Sequence, residues 1–143
     1  FVGEELKATR LRSNKLALTS PTAANVTTAN ITLSAGDWII SGMIAYEGAG
    51  ATISTLGYAI SISTGAGSAT LPGADTIAVP TSGEARFGDD ATGFVVTTAT
   101  RTYGIPPFQV QVTGTPTIYL VGQATFSAGT VNTYGSMRAV RIR

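Results

Sequence analysis

The stretch that decides the fold is FQVQVT at residues 108–113. Its Phe and two Val residues occupy alternate positions and are separated by Gln, Gln and Thr. A period of two places successive side chains on opposite faces of an extended chain. The alternation therefore predicts a β-strand with one face in a hydrophobic core and the other in solvent.

The same period recurs on both sides of this stretch. Alternate apolar residues run from Leu56 to Ile62 and from Ile118 to Phe126. In residues 37–47, Trp38 and Tyr46 share one apolar face, and the opposite face is also fairly apolar. A strand that is apolar on both faces is typical of the centre of a sheet, so we expect this one to be covered on both sides.

Turn-forming residues interrupt the chain about every ten positions, and helix signals are nearly absent. Breaks are predicted at 34–37, 47–50, 65–68, 88–90, 106–107 and 114–116. The strands predicted between them are 6–12, 26–33, 37–47, 53–63, 75–79, 84–87, 94–103, 107–113, 117–127 and 132–142. About 8–10 short strands at this spacing predict an all-β protein, an antiparallel β-sandwich or barrel. We expect residues 1–22 to form an extended N-terminal arm or first edge strand, and 23–143 a single β-sandwich domain.

The amino-acid composition limits which catalytic and metal sites the chain can form. The 143 residues include no Cys and no His, which excludes disulfides, thiolate or histidine metal sites and Ser-His-Asp or Cys-His catalysis within the chain. The sequence therefore predicts no enzyme activity, no catalytic residue, no metal site and no cofactor. No apolar run approaches the roughly 18 residues of a membrane span, so no membrane partner is predicted either.

The remaining motifs are better explained by structural roles than by catalysis or ligand binding. A glycosidase needs two carboxylates facing each other across a cleft, and no pair of acids is flanked by aromatics in that way. GDDATG at 88–93 offers too few oxygen atoms for Ca²⁺ and is interpreted as a solvated loop. Phe87, Phe94, Tyr103 and Phe108 are interpreted as core residues, with a ligand groove as the alternative.

Charge is sparse and lies mostly at the two ends of the chain. Charged residues make up 12% of the sequence, against about 25% in an average soluble domain, and the net charge is +1. Such a surface is either covered by Ser, Thr and Asn or hidden against other subunits. If the first and last strands are neighbours, the terminal charges form one candidate subunit or capsid interface: Glu4, Glu5, Lys7, Arg10, Arg12, Lys15, Arg138, Arg141 and Arg143. The alternative is ordinary solvated charge that protects a sheet edge. The low net charge and the lack of interleaved Arg and aromatic residues argue against nucleic acid.

Several segments resemble small structural proteins of tailed bacteriophages. LSAGDWIISG at 33–42 is similar to their strand pair with the pattern L-x-x-G-D-W-x-x-S-G. ISIST at 60–64 with TLP at 70–72 resembles the next strand and loop. YLVGQATFSAGTV at 119–131 and YGSMRAVRIR at 134–143 resemble the basic C-terminal strand. The matches are scattered over 33–143, and the preceding residues match only loosely.

The resemblance implies a jelly-roll-like domain, commonly a homotrimer, on the surface of a phage particle. It carries no catalytic motif and does not choose between a capsid cement (decoration) protein and the distal domain of a tail or head fibre. Because no shaft or coiled coil precedes the domain in this sequence, we expect a cement protein. Its partners would be its own copies and other virion proteins, above all the major capsid protein, with the arm 1–22 reaching across a neighbour. The alternative is a receptor- or carbohydrate-binding fibre domain that uses loops near 47–52, 65–74 and 88–93.

Overall fold

The fold consists of antiparallel strands joined by short turns. A computed structural model of the protein describes residues 2–61, 86–89, 94–96 and 100–143. A short 3-10 turn at Arg12–Asn14 is the one helical element in these ranges. The strands are β1 (Glu5–Arg10), β2 (Leu16–Ala17), β3 (Ala24–Asn25), β4 (Ile31–Thr32), β5 (Gly36–Ala49), β6 (Ala51–Ser61), β7 (Arg86–Asp89), β8 (Phe94–Val96), β9 (Thr100–Val112), β10 (Thr117–Ser127) and β11 (Thr130–Arg141).

The strands form two sheets. The first has the order β1-β11-β5-β9, with β2 also paired to β11. The second has the order β3-β10-β6-β7, with β4 paired to β10 and β8 paired to β6. All of the pairs are antiparallel. Two antiparallel sheets with this strand order form a jelly roll, so the predicted all-β sandwich is confirmed.

The core lies between the inner faces of the two sheets. From β5 it contains Trp38, Ile40, Ile44 and Tyr46, none of them more than 2% exposed. Strand β10 contributes alternate apolar residues in the same way, as the predicted strand 117–127 required. Burial of such side chains stabilises the fold by about 1.5–3 kcal/mol each.

The outer face of β5 differs from the prediction. The strand is central, since it pairs with β11 on one side and β9 on the other. Its inner face is covered. On the outer face Asp37 and Ala45 are buried, but Ile39 is 36% and Met43 is 50% exposed between them. The expectation of cover on both faces was therefore wrong for the middle of the outer face.

Two tight turns carry the chain between the sheets at the same corner. Gly50 alone separates β5 in the first sheet from β6 in the second, and Ala128-Gly129 joins β10 to β11. The pairing of β5 with β11 begins at Ala49↔Thr130, and that of β6 with β10 ends at Thr52↔Ser127. The hydrogen-bonded ladder therefore continues around the corner, which fixes the two sheets relative to each other.

Prolines do not end a strand where the sequence predicted a break. Strand β9 runs through Pro106-Pro107, and its register against β5 shifts between Ile40 and Gly42. A bulge at the edge of a sheet accommodates residues that lack an N–H, because none of the described strands bonds to that side of β9. The predicted break at 106–107 was therefore wrong.

Two other predicted strands also differ. Within 26–33 the strand is limited to β4, since β3 ends at Asn25 and a turn follows in which Thr27 Oγ1 donates to Ala29 O at 2.6 Å. In place of 94–103, β8 ends at Val96 and β9 begins at Thr100. The predicted strand 75–79, the loops 65–74 and 90–93 and the side chains of Phe87 and Phe94 lie outside the described residues.

The N-terminal segment packs on its own chain. Strand β1 pairs with β11 from Glu5↔Val140 to Arg10↔Gly135 and forms the edge of the first sheet. Leu6 packs against the core and Ala8 is buried in it. The first and last strands are thus neighbours, as the argument about terminal charge supposed.

Candidate functional site

The adjacent strands β1 and β11 bring charges from both ends of the chain together. Lys7 lies directly opposite Arg138 in the register. Glu5 accepts from Lys7 Nζ at 2.7 Å and from Arg138 Nε at 2.8 Å. These two hydrogen bonds, first that of Lys7 and then that of Arg138, lower the pKa of the Glu5 carboxyl. Glu5 therefore balances basic side chains from both ends of the chain, within one chain.

A second group surrounds Glu47 at the end of β5 nearest the corner turns. Its carboxylate accepts from Lys15 Nζ at 2.6 Å and from Arg12 Nε at 2.8 Å. The hydrogen bond from Lys15, followed by that from Arg12, lowers the pKa of Glu47. In return, the hydrogen bond to Glu47 raises the pKa of Arg12.

The lowered pKa of Glu47 predicts a stability effect that depends on pH. Its charged form is favoured in the folded state, so its contribution is present above the ordinary value of 4.5 and is lost as pH falls through the folded-state pKa. We expect Glu47→Gln to lower the melting temperature at pH 7, because Arg12 and Lys15 then repel each other without a counter-charge.

The wild type and this variant should converge in acid, since a protonated Glu47 resembles glutamine. Thermal unfolding from pH 7 to pH 2, followed by circular dichroism, checks this result. NMR titration of the Glu47 carboxyl should give a midpoint below 4.5. A difference in melting temperature that is constant across the pH range would contradict the assignment.

The third group holds the C-terminal residues against the turn before β5. Arg143 Nε donates to Asp37 Oδ2 at 2.7 Å, and Asp37 is only 5% exposed. Arg141 Nη2 donates to Ala35 O at 2.7 Å, and Asp37 N donates to Arg143 O at 2.8 Å. These bonds seat both arginines on the chain itself.

Arg10 lies apart from the other candidates. Its guanidinium points inward and donates to Val26 O and, through Nη1, to Asn14 O at 3.0 Å. It lines an open cleft of about 520 Å³ together with Thr9, Leu11, Asn14 and Thr28. Leu11 is 66% exposed there.

The structure thus divides the predicted charged interface into separate groups. Asp37 and Glu47 stand near opposite ends of β5, and the ten residue steps from one to the other span about 33 Å at the rise of an extended strand. Glu5, Lys7 and Arg138 are brought together, whereas Arg12 with Lys15 and Arg141 with Arg143 are carried to opposite ends of the first sheet. Glu4 has a polar partner of its own and contributes its carbonyl to the bond from Arg141 N at 2.9 Å.

Sequence reasoning missed the outer face of the first sheet. This face carries the partly or largely exposed apolar residues Ile39, Met43 and Val140. The signal was present in the apolar character of positions 39 and 43. This signal predicts a covered face, but the sequence does not show which side of a central strand faces its own second sheet.

The aromatics pack in the core as predicted where their side chains are described. Tyr103 stacks on Tyr58 with ring centroids 5.2 Å apart and meets the edge of Tyr46 at 6.2 Å. Phe108 packs against the same cluster. Tyr46 donates to Gly57 O at 2.6 Å, and burial raises the pKa of its hydroxyl far above the ordinary value. Tyr46 is thus a neutral structural hydrogen-bond donor.

Two kinds of feature are absent from the described ranges, an acidic metal-binding group and a membrane-spanning helix. No group of three or more Asp and Glu side chains there is arranged to hold a metal ion. No helix in that part of the chain is long and apolar enough to cross a membrane.

Comparison with known proteins identifies the fold. No protein-family model and no curated protein matches the chain. Among solved structures, the fold is similar to a chain in the structure of infectious bursal disease virus Gx strain, with a TM-score of 0.50 and 13% sequence identity. The alignment covers 96% of this chain and 32% of that chain, so this chain spans about a third of the length of its structural neighbour. At this identity the similarity is one of fold.

Proposed function

We propose that this protein is a structural component of a virus particle. The observation that carries the proposal is the jelly-roll sandwich, which aligns over 96% of this chain with a chain from a virus structure. The sparse charge of the sequence adds support, because a surface with 12% charged residues suits burial against other subunits.

The more specific proposal is a capsid cement protein on the surface of a tailed bacteriophage. It draws on the resemblance of residues 33–143 to small phage structural proteins. In this role a homotrimer binds the assembled shell, in which the major capsid protein is its main partner. It does not bind the free coat protein. Binding to the assembled form alone stabilises that form by mass action.

We further propose that the protein acts through contacts and not through catalysis. A general acid needs a raised pKa, as in a buried or like-charged carboxyl. Glu5 and Glu47 have lowered pKa values because each accepts hydrogen bonds from two cations. Asp37 is likewise committed to Arg143. These contacts suit ionised structural carboxylates.

The alternative, a receptor- or carbohydrate-binding fibre domain, depends on projecting loops. Of the three loops considered, the one near 47–52 lies fully in the described part of the chain. It is a corner of a single residue, Gly50, between two strands. A turn of this size offers no concave surface for a sugar or receptor, so this one loop does not support the fibre role.

Adding the protein back to its own virus tests this proposal. Shells assembled without the protein should bind the purified chain at saturating, regularly spaced sites and should then break at a higher temperature. Electron microscopy of gold-labelled protein should place it on the capsid faces. Label on the fibres would replace the cement role by the fibre role, and failure to bind any part of the particle would overturn the virion role.

A further inference from the structure

We infer that the outer face of the sheet β1-β11-β5-β9 is where a second copy of this chain packs, about an axis parallel to the strands. This inference rests on the self-association in the proposed function and adds the surface and the orientation. It does not depend on where the protein sits on a particle.

The centre of this face is apolar. Ile39 and Met43 project from β5, and the register places Ser136 of β11 and Gly104 of β9 on either side of Met43. Small neighbours leave the Met43 side chain standing above the sheet, 50% exposed. An apolar centre with a polar rim is the usual composition of a subunit interface.

The sheet edges in the described part of the chain are poor surfaces for association. Pro106 and Pro107 interrupt the free edge of β9, and Lys7 projects from the six-residue edge strand β1. The edge strands of the second sheet, β3, β4, β7 and β8, have two to four residues each. Prolines, charges and short strands block edge-to-edge pairing, which leaves association through a face.

The area of the face matches what a stable pair of subunits needs. Four strands spaced about 4.8 Å apart give a width of about 19 Å, and rises of about 3.3 Å per residue give the long strands a length of about 40 Å. The short strand β1 reduces the product to about 700 Å² for each copy. A standard specific interface buries about 800 Å² on each partner.

The distribution of charge selects the orientation. On the β1-β11 half of the face, Lys7 and Arg138 share the single carboxylate of Glu5, which leaves one positive charge in excess. On the other half, the outward residues at the same levels are Ile39, Ser41, Met43, Gly104 and Gln109, which carry no charge. An axis parallel to the strands brings the charged half of one copy against the uncharged half of the next. A two-fold axis perpendicular to the strands would oppose like charges, which is unfavourable.

The area and the orientation together describe a face-to-face pair of copies. In this pair each copy contributes both halves of its face, and Met43 of each copy lies near the axis. A wild type that sediments as the homotrimer of the proposed function would overturn the pair.

Met43→Glu tests the face through the oligomeric state of the full chain. Sedimentation equilibrium over a concentration series should show an oligomer for the wild type. The variant should raise the dissociation constant at least about 30-fold, the effect of losing one central anchor. Thr115→Glu is the matched control, because it adds the same charge at an exposed residue of the turn that leads from β9 in the first sheet to β10 in the second, and it should change nothing. Met43 is half exposed, so the circular dichroism spectrum of the variant should match that of the wild type.

Cysteine cross-linking tests the orientation without weakening the interface, and the absence of native Cys makes it clean. The register places Thr9 level with Ser136, Met43 and Gly104, and Thr102 lies two residues further along β9. A mixture of Thr9→Cys and Thr102→Cys chains, treated with a short bis-maleimide, should give covalent mixed dimers. Either variant alone should give few.

Each result decides a different point. If Met43→Glu leaves the oligomer intact, the inferred face is overturned while self-association stands. If cross-links form within a single cysteine variant, the inferred orientation is overturned and self-association again stands. A wild type that remains monomeric at millimolar concentration overturns both the face and the self-association in the proposed function. The virion role is then decided separately by binding to shells.

Discussion

Replacement of Gly129 by alanine should lower the free energy of unfolding by about 3–5 kcal/mol, through backbone strain and overlap together. Gly129 has a φ of +61°, in the left-handed region that favours glycine. A Cβ atom there would lie 2.2 Å from Ala49 O and 2.6 Å from Ala51 N. Because these are backbone atoms of the neighbouring corner turn, neither turn can move without breaking the ladder that joins the two sheets.

Alanine substitutions at two further glycines distinguish the cost of backbone strain from the cost of atomic overlap. Gly50 has a φ of +64° with no atom within 4 Å of the added Cβ, so Gly50→Ala should cost about 1–2 kcal/mol. Gly114 has open space and no positive φ, so Gly114→Ala should stay within about 0.5 kcal/mol of the wild type. Urea unfolding followed by circular dichroism measures all three. An equal loss at Gly129 and Gly50 would show that the contact between the corners is unimportant.

Removal of the Trp38 side chain should have an effect of similar size. Trp38 is the single tryptophan, is fully buried, and its Nε1 donates to Ser34 O at 2.9 Å. We expect Trp38→Ala to cost about 3–5 kcal/mol, from lost burial and the cavity it leaves. Native domains are stable by only about 5–15 kcal/mol, so the variant should be partly unfolded at 37 °C.

The variant Trp38→Phe distinguishes the contribution of packing to the free energy of unfolding from that of the hydrogen bond. It retains most of the apolar volume but leaves Ser34 O without its donor, so we expect a loss of about 1–2 kcal/mol. Melting curves from far-ultraviolet circular dichroism serve both variants, since neither retains the tryptophan signal. If phenylalanine cost as much as alanine, the hydrogen bond and not the packing would dominate at this position.

The sequence predicts the fold well where one local rule decides the outcome. Residues 108–113 and 117–127 show a period of two, and both lie in the strands that this period predicts. The prediction fails at Pro106-Pro107, because local preference marks a turn while a bulge on a free edge tolerates both prolines. It fails at 26–33, because the turn fixed by the Thr27 hydroxyl is not visible as a break in the apolar pattern.

The candidate site is harder to predict, since it depends on pairings across long sequence distances. The basic residues near both ends could be identified by composition alone. Their partners could not: Glu47 binds cations 32 and 35 residues away, and Asp37 binds Arg143 at a separation of 106. Exposure of Ile39 and Met43 likewise depends on which face of the first sheet the second sheet covers.

The antiparallel pairing of β1 with β11 also determines how the domain responds to mechanical load. Glu5 and Val140 lie side by side at one end of that pair. A force pulling these two residues apart would load the hydrogen bonds between the strands one at a time, as a zipper opens, and would meet little resistance. Tension carried through the ends of the domain would therefore peel it open, whereas a load spread over the broad surface of the sheet would be shared by many contacts at once.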